Sequence, residues 1–373
     1  MSMLADMVDV VVGGDTHRDS HTLEIATAQG VPISTITVTN DEAGYARALA
    51  FLTEHTTTAG GNAGGNAGNA GAGPRVVVGL EGTRSYGIGL ARAFTAAGIP
   101  VVEVRPGPAG RGEAAAQGHR GKSDPIDAHR AVLTVLRMNP TRLPRPRSDG
   151  DREALRILLN ARHDMTTTRT AQINQLRALL LTGDDTDRAL ARAALTQTRL
   201  ATLARRRGRT GENTHHTVRR HETRRLALAI TATGRDLATN KKHLTNLVQT
   251  LAPTLLTKTG IGPVSAAQAI VSWSHPGRCR NEAAFAALAG TAPIPASSGR
   301  TTRHRLNRGG DRQLNRALHN ITLTRWRCCP RTHAYITRRR NQGLTDPEIR
   351  RCLKRYIARE IHRTLTNTWL DNT

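Results

Sequence analysis

Two aspartates three positions apart, Asp124 and Asp127, stand in the stretch KSDPIDAHRAV. Residues at positions i and i+3 share one face of a helix, so these two carboxylates could hold a single cation. The spacing also has a structural explanation. Asp124 as an N-cap, Pro125 as the first helical residue and an acid in the first turn favour a helix start. The spacing alone therefore leaves both explanations open.

Two further carboxylates, Asp15 and Glu81, follow β-branched runs and so stand where predicted strands end. Each has a structural alternative, since Asp15 could cap a turn and Glu81 could be a loop acid. If all four acids converge, they repel one another unless cations are present. Two Mg²⁺ ions about 4 Å apart would neutralise them and promote phosphoryl transfer.

Hydrophobic patterning predicts the elements that must position these acids. The predicted order is strands at 8–14, 21–28 and 32–40, a helix at 41–55, a strand at 75–81, a helix at 85–97 and a strand at 99–105. The stretch at 59–73 contains mainly glycine, asparagine and alanine and is predicted to be a flexible surface loop. A hairpin meander followed by βαβ units is the architecture of ribonuclease-H-like nucleases, so the predicted fold of this part is α/β.

Beyond residue 147 the sequence becomes helical and rich in arginine. Helices are predicted at 151–181 and 223–251, with a charged loop at 205–220 between them. Ile230, Leu237, Leu244 and Leu251 recur every seven residues, which is typical of a coiled-coil seam. The same residues could pack inside an intramolecular helical hairpin, and both alternatives remain open.

The C-terminal part contains two candidate phosphate-binding features. Gly260-Ile261-Gly262 precedes a predicted helix, so its backbone N–H groups could approach a phosphate as in a helix–hairpin–helix turn. A Ser297-Ser298-Gly299 loop is followed by Arg300, Arg303, Arg305 and Arg308. Arginines around a hydroxyl would suit a serine that attacks a phosphodiester, although most such loops are only loops.

Charge indicates the class of partner. The chain has 54 Lys+Arg against 29 Asp+Glu, and residues 1–150 hold 14 of each sign, so the whole excess of +25 lies after residue 150. A strongly cationic half predicts a nucleic acid partner. The sequence shows neither an interfacial apolar face nor an apolar run of about 18 residues, nor a signal peptide. Its four cysteines fit neither a zinc spacing nor a disulfide framework. We therefore expect a cytoplasmic protein, associated with the nucleoid when it acts.

Six motifs together resemble one family. They are GGDTHRDSH, GLEGTRSYG, KSDPIDAHRAV, GIGPVSAA, LAGTAPIPASSG and LNRGGDRQLNRAL, in this order along the chain. The chain resembles the DEDD transposases of bacterial insertion-sequence family one hundred and ten, which are described as bridge-RNA-guided recombinases. The resemblance is weakest in the glycine-rich loop and at 205–220.

The resemblance implies a RuvC-like, ribonuclease-H-fold domain at 1–147, a helical coiled-coil arm at 148–252 and a mainly helical transposase domain at 253–373. It also implies Asp15, Glu81, Asp124 and Asp127 as the Mg²⁺ ligands. Ser298 would become covalently joined to DNA, and Ser297 is an alternative because the family commonly has glutamine there. The implied partners are a guide RNA, donor and target duplex DNA, and further copies of the chain in a dimer or tetramer.

Two other functions remain as alternatives. A Mg²⁺-dependent nuclease or junction resolvase would use the same four acids to activate water, with Ser298 structural. A binding protein with a decayed site is disfavoured because all four acids are present. We therefore expect a recombinase that cuts and rejoins DNA strands.

Overall fold

A five-stranded mixed sheet forms the centre of the first of two units, Met1–Arg147 and Ser148–Thr373. The structure is a computed structural model and describes residues 3–60, 75–105, 124–208, 210–296 and 304–370. The strands are β1 (Val10–Thr16), β2 (Ser20–Thr27), β3 (Pro32–Thr39), β4 (Val76–Leu80) and β5 (Val101–Glu103). Their order in the sheet is β3-β2-β1-β4-β5. The first three are antiparallel neighbours, whereas β1, β4 and β5 run parallel.

Helices cover both faces of this sheet, and they are α1 (Glu42–Gly60), α2 (Ile88–Ala96) and α3 (Asp124–Leu136). Because successive strand residues point to opposite faces, Val10 and Val12 join the core that includes α1 and α2 residues. Val11 joins the core formed with α3. The predicted order of strands and helices is confirmed, and Gly30 adopts a positive φ of 82° in the β2–β3 turn. The predicted end of the first helix at residue 55 was wrong, since α1 continues to Gly60. The rest of the 59–73 stretch lies outside the described residues.

In its described residues, the second unit is helical apart from two short paired strands. Its longer elements are α4 (Asp151–Leu181), α5 (Asp185–Arg192), α6 (Gln197–Ala204) and α7 (Thr214–Leu251). They are followed by α8 (Pro253–Leu256), α9 (Pro263–Trp273), α10 (Glu282–Leu288), strands β6 (Ile294–Pro295) and β7 (His304–Arg305), α11 (Arg312–Cys328), α12 (Pro330–Asn341) and α13 (Asp346–Leu370). No helix in the described part combines the length and apolar composition needed to cross a membrane.

The heptad residues of α7 pack against the same chain. Leu226 and Ile230 share a buried cluster with Leu176 and Leu180 of α4, and Leu244 shares another with Leu155. The buried Asn240 donates its amide to the carbonyl oxygen of Leu158 at 2.9 Å. Of the two alternatives for this segment, the structure therefore shows the intramolecular helical hairpin.

The charged loop predicted at 205–220 was wrong over its second part, because α7 begins at Thr214. Asn213 caps the helix by accepting a hydrogen bond from the backbone N–H of His216 at 2.9 Å. Arg220 forms an ion pair with Glu212 at 2.9 Å. Two of the charged side chains in this segment therefore neutralise each other. High charge alone was thus a poor indicator of loop structure.

Candidate active site

Side chains that alternate between the two faces of β1 and β4 place two acids at one end of the sheet. On β1, Val11 packs under α3 and Gly13 lies on the same face, which makes Asp15 the next residue on that face. On β4, Val77 and Gly79 repeat the arrangement, and Glu81 follows directly after the strand. The parallel register pairs Gly13 with Gly79 and Gly14 with Leu80. The two strands therefore bring Asp15 and Glu81 to the same end of the sheet.

Asp15 and Asp124 meet around a histidine. Nε2 of His17 lies 3.1 Å from Oδ2 of Asp15 and 3.4 Å from Oδ1 of Asp124. One ligand atom from each of these three side chains lies within 4.8 Å of the others, which is a separation that a single metal ion can span. Asp15 is only 8% exposed, whereas His17 and Asp124 are accessible to solvent. The site is thus anchored at the sheet and open on its outer side.

Asp127 adds a further negative charge to this group. Burial raises the pKa of Asp15, the nearby His17 opposes this rise, and the charges of Asp127 and Asp124 raise the pKa further. Asp127 itself accepts a hydrogen bond from Arg130 at 2.8 Å. Crowded carboxylates of this kind favour either bound protons or bound cations.

Glu81 is held at this site by its backbone. Its N–H donates to the carbonyl oxygen of Gly14 at 3.0 Å, and its carbonyl oxygen accepts from the hydroxyl of Thr16 at 2.9 Å. Gly82 follows with a φ of 64°, and a Cβ there would lie 2.4 Å from the Thr16 hydroxyl. The motif GLEG therefore fits tightly around the end of β1. Within the described residues, the group at metal-ligand spacing comprises Asp15, His17 and Asp124 and includes neither Glu81 nor Asp127.

The donor set suits a hard divalent cation. Carboxylate oxygens are the ligands that Mg²⁺ prefers, and Mn²⁺ also accepts an imidazole nitrogen. Asp15 and Asp124 come from different elements and supply oxygens to one place, with Asp127 one turn further along α3. The residues present therefore fit a divalent metal.

A contact between a buried glutamate and a half-buried histidine links α3 to the sheet. Oε1 of Glu24 on β2 lies 2.6 Å from Nδ1 of His129 on α3, and the Glu24 side chain is only 7% exposed. Sequence analysis missed both this pair and His17. His17 could have been found, because it follows Asp15 by two residues in the motif GGDTHRDSH, directly after the predicted strand. The Glu24–His129 pair joins residues 105 positions apart, so the sequence gave no local signal for it.

The C-terminal candidates are only partly described. Ser297, Ser298, Gly299, Arg300 and Arg303 lie outside the described residues. Arg305 lies on β7 and, with Arg308, is exposed.

The glycines of the Gly260–Gly262 turn differ in their surroundings. Gly260 has a φ of 79°, and a Cβ there would lie 3.1 Å from the Arg325 side chain, so close packing accounts for this glycine. Gly262 is the N-cap of α9, and a Cβ there would meet nothing within 4 Å. A phosphate contact at this turn stays a prediction.

Comparison with known families assigns the chain. A DEDD transposase model of the IS110 family matches residues 12–183. A second model, described as transposase IS116/IS110/IS902 family, matches residues 252–337. No curated protein matches the chain. The DEDD domain implies a RuvC-like fold for the mixed sheet, and this family typically uses a divalent metal ion. Because the two models together cover more than two thirds of its length, the chain belongs to the IS110 family of DNA transposases.

Proposed function

We propose that this transposase exchanges DNA strands with Asp15, Glu81, Asp124 and Asp127 as Mg²⁺ ligands and Ser298 as the nucleophile. The observation that carries the proposal is the convergence of Asp15 and Asp124, with Asp127 beside them, at the end of β1 and the start of α3. The role of Ser298 rests on the family resemblance and on its motif. Two metal ions per site remain the expected number.

The protein contributes fixed positions for the acids. Asp15 is held by a buried strand, while Asp124 and Asp127 begin a helix that packs on the same strand. A bound divalent metal would withdraw charge from the phosphate oxygens and lower the barrier to displacement at phosphorus. Acids at the helix start offset the unfavourable effect of the helix dipole on a nearby cation.

The proposed cleavage step conserves the number of phosphoester bonds. The Ser298 hydroxyl attacks phosphorus, forms a serine–phosphate ester and breaks one bond between phosphorus and a sugar oxygen. The serine proton leaves to a base or to solvent, and the departing sugar oxygen takes up a proton. A sugar hydroxyl from another strand then attacks the serine ester and releases Ser298. This reversal rejoins DNA without an external energy source.

The guide RNA and the oligomeric state belong to the same proposal. The excess of +25 charges lies after residue 150, which suits a chain that must hold RNA and two DNA duplexes. A guide RNA would pair with donor and target DNA, while a dimer or tetramer would bring the strands together.

The test is a Mg²⁺-dependent protein–DNA adduct that survives denaturation. The full chain is co-expressed with its flanking DNA, so that any guide RNA is supplied, and wild type is compared with Ser297→Ala, Ser298→Ala and Asp124→Asn. We expect the adduct in wild type and Ser297→Ala and its loss in the other two. Asp19→Asn is the matched control, because Asp19 pairs with Arg18 on the surface.

Each alternative has its own outcome. Cleavage without an adduct, undiminished by Ser298→Ala, would mean that the acids activate water as in a nuclease or junction resolvase. An adduct lost only in Ser297→Ala would transfer the nucleophile to Ser297. Activity that survives complete removal of RNA before DNA is added would contradict RNA guidance.

A further inference from the structure

Three basic side chains lie at, or one helical turn from, the contact between Asn315 on α11 and Lys354 on α13. They are His319, Arg350 and Lys354, and all three are partly buried. The ammonium of Lys354 donates to Oδ1 of Asn315 at 2.8 Å, which leaves two of its three N–H donors for other acceptors. In the part of the chain that the structure describes, none of the three forms an ion pair.

The acids of α13 are engaged elsewhere. Asp346 lies one turn before Arg350 but binds Arg340 through two hydrogen bonds of 2.9 and 3.0 Å. Glu348 accepts from the backbone N–H of Thr345, and Glu360 pairs with Arg325 at 2.7 Å. These acids therefore form no ion pair with the cluster in the described residues, although the charge of Arg350 helps to lower the pKa of Asp346.

Burial and the neighbouring charges shift the pKa of two groups in the cluster. Burial lowers the pKa of Lys354. Burial also lowers the pKa of His319, and the charges of Lys354 and Arg350 lower it further. A lowered pKa favours the neutral form of His319, so Lys354 and Arg350 carry the positive charge of the cluster. A bound anion would favour the charged form of all three side chains.

Arg350 is fixed in place without using its full hydrogen-bonding capacity. Its guanidinium lies 5.0 Å from the centre of the Trp326 ring, a distance at which cations are attracted to an aromatic face. Its Nε is buried and has no hydrogen-bond partner in the described structure. The terminal N–H groups of an arginine one helical turn from a lysine suit an oxygen-rich anion.

Asn315 connects the cluster to the base of the β6–β7 hairpin. Its side-chain amide donates to the carbonyl oxygen of Ala289 at 2.7 Å, while its Oδ1 accepts from Lys354. The backbone N–H of Asp311, on the far side of the hairpin, donates to the neighbouring carbonyl of Leu288 at 2.7 Å. The Ser297-Ser298-Gly299 motif lies between β6 and β7 in the sequence, and Asn315 links Lys354 by two hydrogen bonds to Ala289, which precedes β6.

We infer that Lys354, together with His319 and Arg350, forms a binding site for a backbone phosphate of the nucleic acid substrate. Lysine binds phosphate as a point charge, and arginine adds directed N–H donors. The inference rests on the proposed function only in that the bound phosphate lies near the strand that Ser298 attacks. Asn315 orients the Lys354 ammonium and couples it to the hairpin.

The test measures binding of a short fluorescent DNA duplex, with the element's flanking sequence, to the full chain without Mg²⁺. We expect Lys354→Gln to weaken binding about tenfold and to lower the slope of log affinity against log salt by about one. Lys354→Arg, which keeps the charge, should retain most of the affinity. Lys241→Gln removes the same charge from an exposed position of α7 and measures the effect of net charge alone.

A second readout separates a local contact from a general loss of structure. Single neutral methylphosphonate substitutions along the duplex should identify one phosphate that weakens binding to wild type but not to Lys354→Gln. Additive effects at every position, or a loss no greater than that of Lys241→Gln, would overturn the inference. The assay needs no cleavage, so failure of the Ser298 chemistry would leave its result unchanged. Conversely, an intact adduct with unchanged Lys354→Gln binding would reject only the phosphate site.

Discussion

Gly13 on β1 lies directly beneath Ala128 on α3, so close that a Cβ on the glycine would sit 2.2 Å from the Ala128 carbonyl oxygen. A Cβ on Gly79 of β4 would likewise lie 2.1 Å from Cγ2 of Val135 on α3. The absence of two side chains therefore lets α3 lie flat on β1 and β4. Because Asp15 follows Gly13 by two residues, this contact also sets the distance between Asp15 and the acids at the start of α3.

Substitution of Gly13 should disturb the site without touching an acid. In Gly13→Ala the methyl group meets backbone atoms of α3, which cannot move aside as a flexible side chain could. We expect a loss of about 1–3 kcal/mol in the free energy of unfolding and at least a tenfold loss of adduct formation. Denaturant unfolding and the adduct assay measure the two effects. Gly262→Ala is the stability control, since its Cβ meets nothing within 4 Å. Full activity of Gly13→Ala would show that the helix position is not critical.

Metal binding should be visible as a change in thermal stability. An ion that binds only the folded chain stabilises it by about 1.4 kcal/mol at ten times its dissociation constant, so Mg²⁺ should raise the Tm of wild type. Asp124→Asn removes a charged ligand and should abolish the rise. His17→Asn should keep it, because Mg²⁺ prefers oxygen ligands over imidazole nitrogen. Loss of the Mg²⁺ effect in His17→Asn would instead make His17 a required ligand.

The parts of the site that sequence analysis predicted are those with a local signal. Asp15 and Glu81 follow buried β-branched runs, and Asp124 and Asp127 open a helix with proline in its first turn. The role of Gly13 was not predicted, because its reason is the approach of a helix more than 100 residues later in the chain. The sequence could show that the acids end their elements but not how those elements pack.

The helical arm formed by α4 and α7 shows a different limit of prediction from sequence. A heptad pattern records that one face of α7 is buried, but it does not identify the helix that covers it. In this chain α4 covers that face, and the buried Asn240 bonds to the backbone of Leu158. The buried polar residue of α7 is thus hydrogen-bonded inside one chain, although the heptad pattern is also typical of a contact between two chains.

The contact between the buried Glu24 and the half-buried His129 should determine how firmly α3 is held. Glu24→Ala leaves the His129 nitrogen without its partner and should cost about 2 kcal/mol of unfolding free energy, less than for a fully buried pair because water reaches the histidine. Glu24→Gln keeps an oxygen acceptor and should cost about 1 kcal/mol. Denaturant unfolding of the full chain measures both, with the exposed Asp19→Asn as the control for loss of one acid. Equal stability of Glu24→Ala and wild type would mean that the pair does not hold the helix.

Adduct formation should follow the same order as stability in these variants. His129 lies five residues after Asp124 on α3, so a helix that has lost its anchor should position its acids less well. We expect Glu24→Gln to retain more adduct than Glu24→Ala when both are assayed well below their unfolding temperatures. The reverse order would show that the Glu24–His129 contact does not control the position of the acids on α3.

A buried histidine on β2 should make the sheet sensitive to acid. His21 is fully buried, its Nε2 lies 3.0 Å from Oδ1 of Asn40, and its Nδ1 has no partner in the described structure. Burial lowers the pKa of His21, so the folded chain takes up this proton less readily than the unfolded chain. The contribution of neutral His21 to stability is therefore complete well above the unfolded pKa of about 6.5 and decreases as the pH falls below it.

Hydrogen exchange of the peptides that cover β2 and β3 measures this effect locally. We expect protection in wild type to fall as the pH is lowered from about 7 to about 5, after correction for the intrinsic exchange rate. His21→Gln should be less protected at neutral pH, because it alters a buried contact with Asn40, but its protection should change less with pH. Other titrating groups act on both proteins, so the difference between them isolates His21. Parallel pH profiles would show that protonation of His21 is not coupled to opening of the sheet.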